Sequence, residues 1–319
     1  MTLTEPIPPT QPSALRKIFI GKDGLRAGWS LLIFIPLFFA GVIFWTSVGS
    51  HKLLPPPVLR CIPFLVTLLV TWIMSKIERR PNSVYGLGGS RKLPYFFAGL
   101  AWGLTCLSLL VLTLWKAGLL VFESRLLFGS DILRYGAIGL LGFLLVGLFE
   151  EYLTRGYLQY TLTRGLAGLY QWAFKARHSA VLGFWTAAVL MSFLFGLGHG
   201  NNPGESPIGL LSAGLAAMVF CFSLWRTGSL WWAIGFHASW DWGQSFLYGV
   251  PDSGGMFPHH LLATHPVGKP ILSGGTTGPE GSIFIVAVLA LASLIILFTL
   301  RGTHFGDTPQ RSTIRFFRQ

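Results

Sequence analysis

The stretch GLFEEYLTRGYL sets Glu150, Glu151 and Arg155 inside a run of otherwise apolar residues. An ionisable group at mid-depth in a bilayer costs roughly 2.5–3.5 kcal/mol or more, so such groups mark a functional site by default. Glu151 and Arg155 are four apart. On a helix they share a face, with the acid N-terminal to the cation, which is the favourable order. This predicts a structural ion pair in which Arg155 offsets the burial of Glu151; Arg155 can also meet a substrate carboxylate or backbone. Glu150 sits about 100° around the helix, with only Thr154 one turn on. A carboxylate in an apolar cavity, without a basic partner, suits general-base work on a water molecule. The competing reading has Glu150 share Arg155 as a second structural carboxylate.

His237 and Asp241, in GFHASWDWG, are also four apart and lie on one helix face. The Asp can orient the His and fix its tautomer, or both can bind one metal ion. His199 ends FLFGLGHG, where a lone histidine reads first as an interfacial residue. Together, the histidines and carboxylates form a set able to activate water in two ways. His199, His237 and Asp241 can supply a two-His, one-carboxylate site for zinc or another divalent metal. Alternatively, Glu150 holds the water and the histidines stabilise an oxyanion. Water attack on a peptide carbonyl is the natural reaction class.

These groups need apolar helices to hold them. The chain has 319 residues, of which 52% are hydrophobic and 11% charged; soluble domains average about 25% charged. With a mean hydropathy of +0.58, the fold class expected is all-α, a polytopic membrane helix bundle of about eight transmembrane helices. Spans are expected near 29–49, 58–76, 94–116, 133–162, 180–199, 207–225, 229–249 and 281–300. The formal charge of +12 lies mainly in short loops and at the ends, which suits lipid headgroups and argues against nucleic acid. With the N-terminus inside, inner segments hold most of the Lys and Arg, Arg79, Lys92, Arg164 and Arg226 among them. That asymmetry predicts both termini cytoplasmic.

Residues 1–28 read as a cytoplasmic tail, disordered over its proline-rich first fifteen residues, and 29–125 as N-terminal transmembrane helices. Residues 130–250 hold the catalytic core, 251–281 an extracytoplasmic loop, and 282–319 the last span and a basic tail. The loop from Pro251 reads as a glycine-rich surface, and its His259, His260 and His265 lack the carboxylate or thiolate help a metal needs. Cys61, Cys106 and Cys221 are far apart with no CxxC, so neither a disulfide framework nor a zinc-thiolate site is expected. Apart from Glu150, Glu151 and Asp241, the acids fall in tails or loops or at their edges.

Three motifs occur in order, each in its own span: EExxxR (Glu150 to Arg155), FxxxH (Phe195 to His199) and HxxxN/D (His237 to Asp241). The set resembles the CPBP family of intramembrane proteases, which includes CAAX prenyl endopeptidases and bacterial relatives, some tied to bacteriocin self-immunity. The early LRAGWSLLIF and the late TTGPEGS look like bacterial members, which implies a bacterial inner membrane. The resemblance implies Glu150 as the base, with His199 and His237 across the water as ligands or oxyanion stabilisers. Asp241 fills a place often taken by Asn; an ionised Asp cannot donate to an oxyanion, which favours a metal ligand or a histidine orienter. The implied partners are membrane lipid and a membrane-associated or lipidated peptide substrate. The alternatives are a transporter or ion or proton path using the same buried charges, and a non-catalytic scaffold.

The depths raise a difficulty. As drawn, His199 lies near the outer end of its span while Glu150, His237 and Asp241 lie deeper. The motifs meet if the fifth helix starts later, tilts, or breaks near Gly196 and Gly198. The first is preferred here, and it leaves residues around 165–180 as an interfacial segment.

Overall fold

The computed structural model describes residues 18–21, 24–50 and 56–300; the proline-rich start and the basic C-terminal tail lie outside the described residues. The helices are α1 Ala27–Ser50, α2 Pro56–Glu78, α3 Lys92–Lys116, α4 Ser130–Glu151 and α5 Gln159–Phe174. They continue as α6 Ser179–Gly198, α7 Pro207–Thr227, α8 Trp231–Trp242, the short α9 Pro270–Ser273 and α10 Ile285–Thr299. Among the described residues six stretches, against the eight expected, are long and apolar enough to cross a membrane: Ala27–Val48, Cys61–Glu78, Lys92–Lys116, Ser130–Phe174, Ser179–Asn201 and Pro207–Thr227. α10 is apolar but shorter. α8 is buried nearly all round, as a helix at the centre of a bundle should be. The fold is a polytopic helical membrane bundle.

Two small antiparallel sheets decorate it. β1 Ile20–Gly21 pairs with β2 Gly24–Leu25. β3 Leu120–Arg125 pairs with β4 Leu262–Pro266, with Val121 opposite His265. β4 belongs to the segment that reads as a plain glycine-rich loop, so that segment has more structure than its composition suggests.

Inside lipid there is little water-driven force between helices, so close packing carries association. α3 meets α8 through Gly99, Gly103 and Gly235; a β-carbon at any of the three would run into the facing backbone. α8 is thereby seated against α3 through its Trp232 and Phe236, both fully or nearly buried.

The fourth span differs from the expected 133–162. Ser130–Phe174 is one continuous apolar helix of 45 residues, in which a π-helical segment, Tyr152–Leu158, joins α4 to α5. Residues 165–174 therefore continue the helix, and α6 starts at Ser179, no later than its expected boundary. The short link after Phe174 makes α5 and α6 an antiparallel hairpin. Its register is set where Gly183 lies against Thr163 and Ala167. Sixteen residues separate Ala167 from Glu151, and sixteen separate Gly183 from His199. At about 1.5 Å per residue both stretches climb about 24 Å. His199 thus comes level with the glutamates because the fourth helix is longer, not because the fifth begins later.

Candidate active site

Glu150 and Glu151 end α4, one residue before the π segment. Gly147, one turn earlier, lies against Ile234 and Ala238 of α8, which holds the glutamates against His237. The two side chains have different partners. Glu151 is fully buried and accepts from Arg155 Nη1 at 2.9 Å. It also accepts from His237 Nδ1 at 3.0 Å, through the same Oε1. Arg155 reaches Thr154 Oγ1 as well, at 2.9 Å. Its guanidinium lies 4.0 Å from the Phe195 ring centre and 5.6 Å from that of Phe220. Planar cation over aromatic face is a favourable arrangement for a charge withdrawn from water. Arg155 forms its ion pair with Glu151, not with Glu150.

Glu150 turns into a cavity of about 190 Å³. Its Oε2 is buried without a hydrogen-bond partner among the described residues, 3.8 Å from His237 Nε2. The same Nε2 stands 3.4 Å from Asp241 Oδ2. The Nδ1 hydrogen bond that orients the His237 ring is therefore made to Glu151, and Asp241 faces the other nitrogen. Phe220 stacks on the His237 ring at 5.6 Å. His199 lines the cavity from the end of α6, where the helix tightens into a 3-10 turn, His199–Asn201. Its Nδ1–H donates to the Phe195 carbonyl at 2.8 Å, which fixes the tautomer and leaves Nε2 as the remaining polar atom. Phe195 also packs on the His199 ring at 4.8 Å, so one side chain braces both Arg155 and His199.

The loop after Val250 completes the wall with Asp252, Ser253 and Glu280. Asp252 accepts from Ser245 Oγ at 3.1 Å, and Glu280 from Ser253 Oγ at 3.0 Å and from the Ser253 backbone. Burial, with Asp241 and Glu280 adding to it, raises Asp252 well above the ordinary carboxylate range. Burial raises Glu280 too, against the two bonds from Ser253. Residue types alone did not point to these three, because turn-rich sequence has no period; TTGPEGS was the one signal available.

The metal set His199, His237 and Asp241 is not assembled. Among the described residues no three His, Cys, Asp or Glu side chains are grouped so that they could hold one metal ion. The Nδ1 atoms of His237 and His199 are held by Glu151 and by the Phe195 carbonyl, so the Nε2 atoms and the Asp241 carboxylate are the donors left toward the cavity. Nor do the loop histidines converge. His259 stacks on Tyr135 at 4.0 Å, His260 donates to the Phe257 carbonyl, and His265 stands 3.0 Å from Glu123.

The segment from α4 to the end of α8 is similar to a known family. Residues 132–243 match the family model described as Type II CAAX prenyl endopeptidase Rce1-like. No curated protein and no solved structure matches the chain. The matched segment contains Glu150, Glu151, Arg155, Phe195, His199, His237 and Asp241. Asp252, Ser253 and Glu280 lie beyond the matched residues.

Proposed function

We propose that the chain is an intramembrane endopeptidase that hydrolyses a peptide bond of a membrane-associated, prenylated protein with a water activated by Glu150. The observation that carries this reading is the Glu150 Oε2, which has no hydrogen-bond partner among the described residues, in a cavity it shares with His199 and His237. The match to a CAAX-type protease family supplies the reaction class. The cavity is smaller than the roughly 300–1,000 Å³ of ordinary ligand pockets, which suits a short stretch of extended peptide around the scissile bond.

In this reading Glu150 takes a proton from water as the oxygen attacks the carbonyl carbon. The tetrahedral oxyanion meets Nε2–H of His237 and His199, each acting as an imidazolium because its Nδ1–H is already given to Glu151 or to the Phe195 carbonyl. Glu150 then returns the proton to the leaving amine, and the C–N bond breaks. Glu151 holds His237 in orientation and is itself neutralised by Arg155. Asp241 keeps the Nε2 side of His237 in place. No step is routed through a metal, since no three candidate ligands are grouped among the described residues.

The test is product analysis with purified full-length protein in bilayer discs, using a prenylated peptide with a CAAX terminus in isotopically labelled water. The reading predicts one new carboxyl terminus carrying one labelled oxygen. Cleavage without label, or transport with no cleavage, overturns it.

A further inference from the structure

Glu78 is a buried acid that the proposed chemistry does not use. By its place in the sequence it falls at a loop edge, yet its side chain is wholly buried at the end of α2. It accepts from Tyr157 Oη at 2.7 Å, and Tyr85 Oη lies 3.5 Å from its other oxygen. Arg80 and Arg164 each stand 3.6 Å away. Arg164 is pinned in turn to the Leu25 carbonyl at 2.7 Å and to Ser30 Oγ at 3.2 Å. Tyr157 stacks on Phe34 at 4.0 Å. The carboxylate thus ties α1, α2 and the turn at Tyr85 to one residue of the π segment.

That segment sets the phase between two rigid bodies. α4 is fixed on α8 through Gly147, and α5 on α6 through Gly183. A π bulge carries one residue more than the α-helical turn it replaces, and such bulges recur at functional sites. If it relaxed to α-helix, one body would turn by about 100° relative to the other. Glu151 lies just before the bulge, and Arg155 lies inside it, two residues from Tyr157. Gly156 fits against the Tyr85 carbonyl only because it lacks a β-carbon.

We propose that Glu78 and Tyr157 form a positioning clamp that holds the π segment in register, so that Arg155 meets Glu151 and Glu151 orients His237. The proposal rests on the reading of Glu150 as base, since His237 matters through its place beside that carboxylate. Neither clamp residue touches substrate. The hydroxyl-to-carboxylate bond is charge-assisted and buried, the circumstances in which such bonds are strongest.

The test is Tyr157→Phe, which removes one oxygen, beside Glu78→Gln, both as full-length protein in bilayer discs. The clamp predicts that kcat per folded enzyme falls about tenfold or more while KM stays within about twofold, as misplacement of catalytic groups does. The double variant should be no worse than Glu78→Gln alone, because both changes break one contact. The Nδ1 chemical shift of His237 in isotope-labelled protein is read in parallel and needs no turnover. A shift that moves in Tyr157→Phe supports the clamp. An unmoved shift, or an unchanged kcat with a lowered melting temperature, overturns it and reduces Glu78 to a packing role. Neither of these results bears on Glu150, whose own variant tests the proposed chemistry.

Discussion

Glu150 and Glu151 are adjacent in the sequence and differ in company. Glu151 has Arg155 and His237; Glu150 has a cavity. Glu151→Gln should therefore lower abundance and thermal stability as well as activity, because Arg155 is left charged, buried and unmatched, a loss of about 3–5 kcal/mol in comparable pairs. A thermal shift as small as that of an exposed substitution would contradict this. The ion pair was legible from spacing, since four residues on a helix bring acid and base together. The His237 contact was not, because it joins residues 86 apart in the chain. Since no three candidate ligands are grouped among the described residues, activity should survive a strong chelator and the purified protein should carry well under one metal per chain by elemental analysis. Activity lost with chelator and restored by zinc would return His199, His237 and Asp241 to a metal-binding role.

At the scale of elements, the hairpin of α5 and α6 decides the level of His199. Spacing showed the spans, but it did not show that α5 runs through 165–174. Arg164 reads there as a basic residue of an inner segment. In the fold Arg164 is buried against Glu78 and Leu25, and Gly165 lies against Ala27, so tertiary partners override the local signal. Gly183→Leu should push the two helices apart at their register point. Overpacking of this kind costs about 1–3 kcal/mol, and it should also lower kcat by moving His199 relative to Glu150. A variant with wild-type melting temperature and kcat would mean that the register is set elsewhere. The loop after Val250 was legible only as a loop; its acids face the cavity through turn geometry that no periodicity encodes.

For the whole molecule, apolar run length and charge placement carried most of the bundle, because bilayer thickness fixes helix length and Lys and Arg mark the inner side. We expect cysteines introduced at Ser90 and Lys269, both exposed, to label from opposite sides of a sealed vesicle when Cys61 is replaced. Cys106 and Cys221 are buried and should stay silent. Labelling of both introduced sites from one side would refute the orientation with termini inside. The bundle, its orientation and its buried polar groups all serve the claim that Glu150 activates water. The most direct measurement is single-turnover hydrolysis of a prenylated CAAX peptide by Glu150→Gln, beside wild type, in the same bilayer discs. The account predicts loss of at least about a hundredfold in rate, the scale of removing a general base, with abundance, melting temperature and peptide binding unchanged. Hydrolysis within a few-fold of wild type by a folded Glu150→Gln would contradict it.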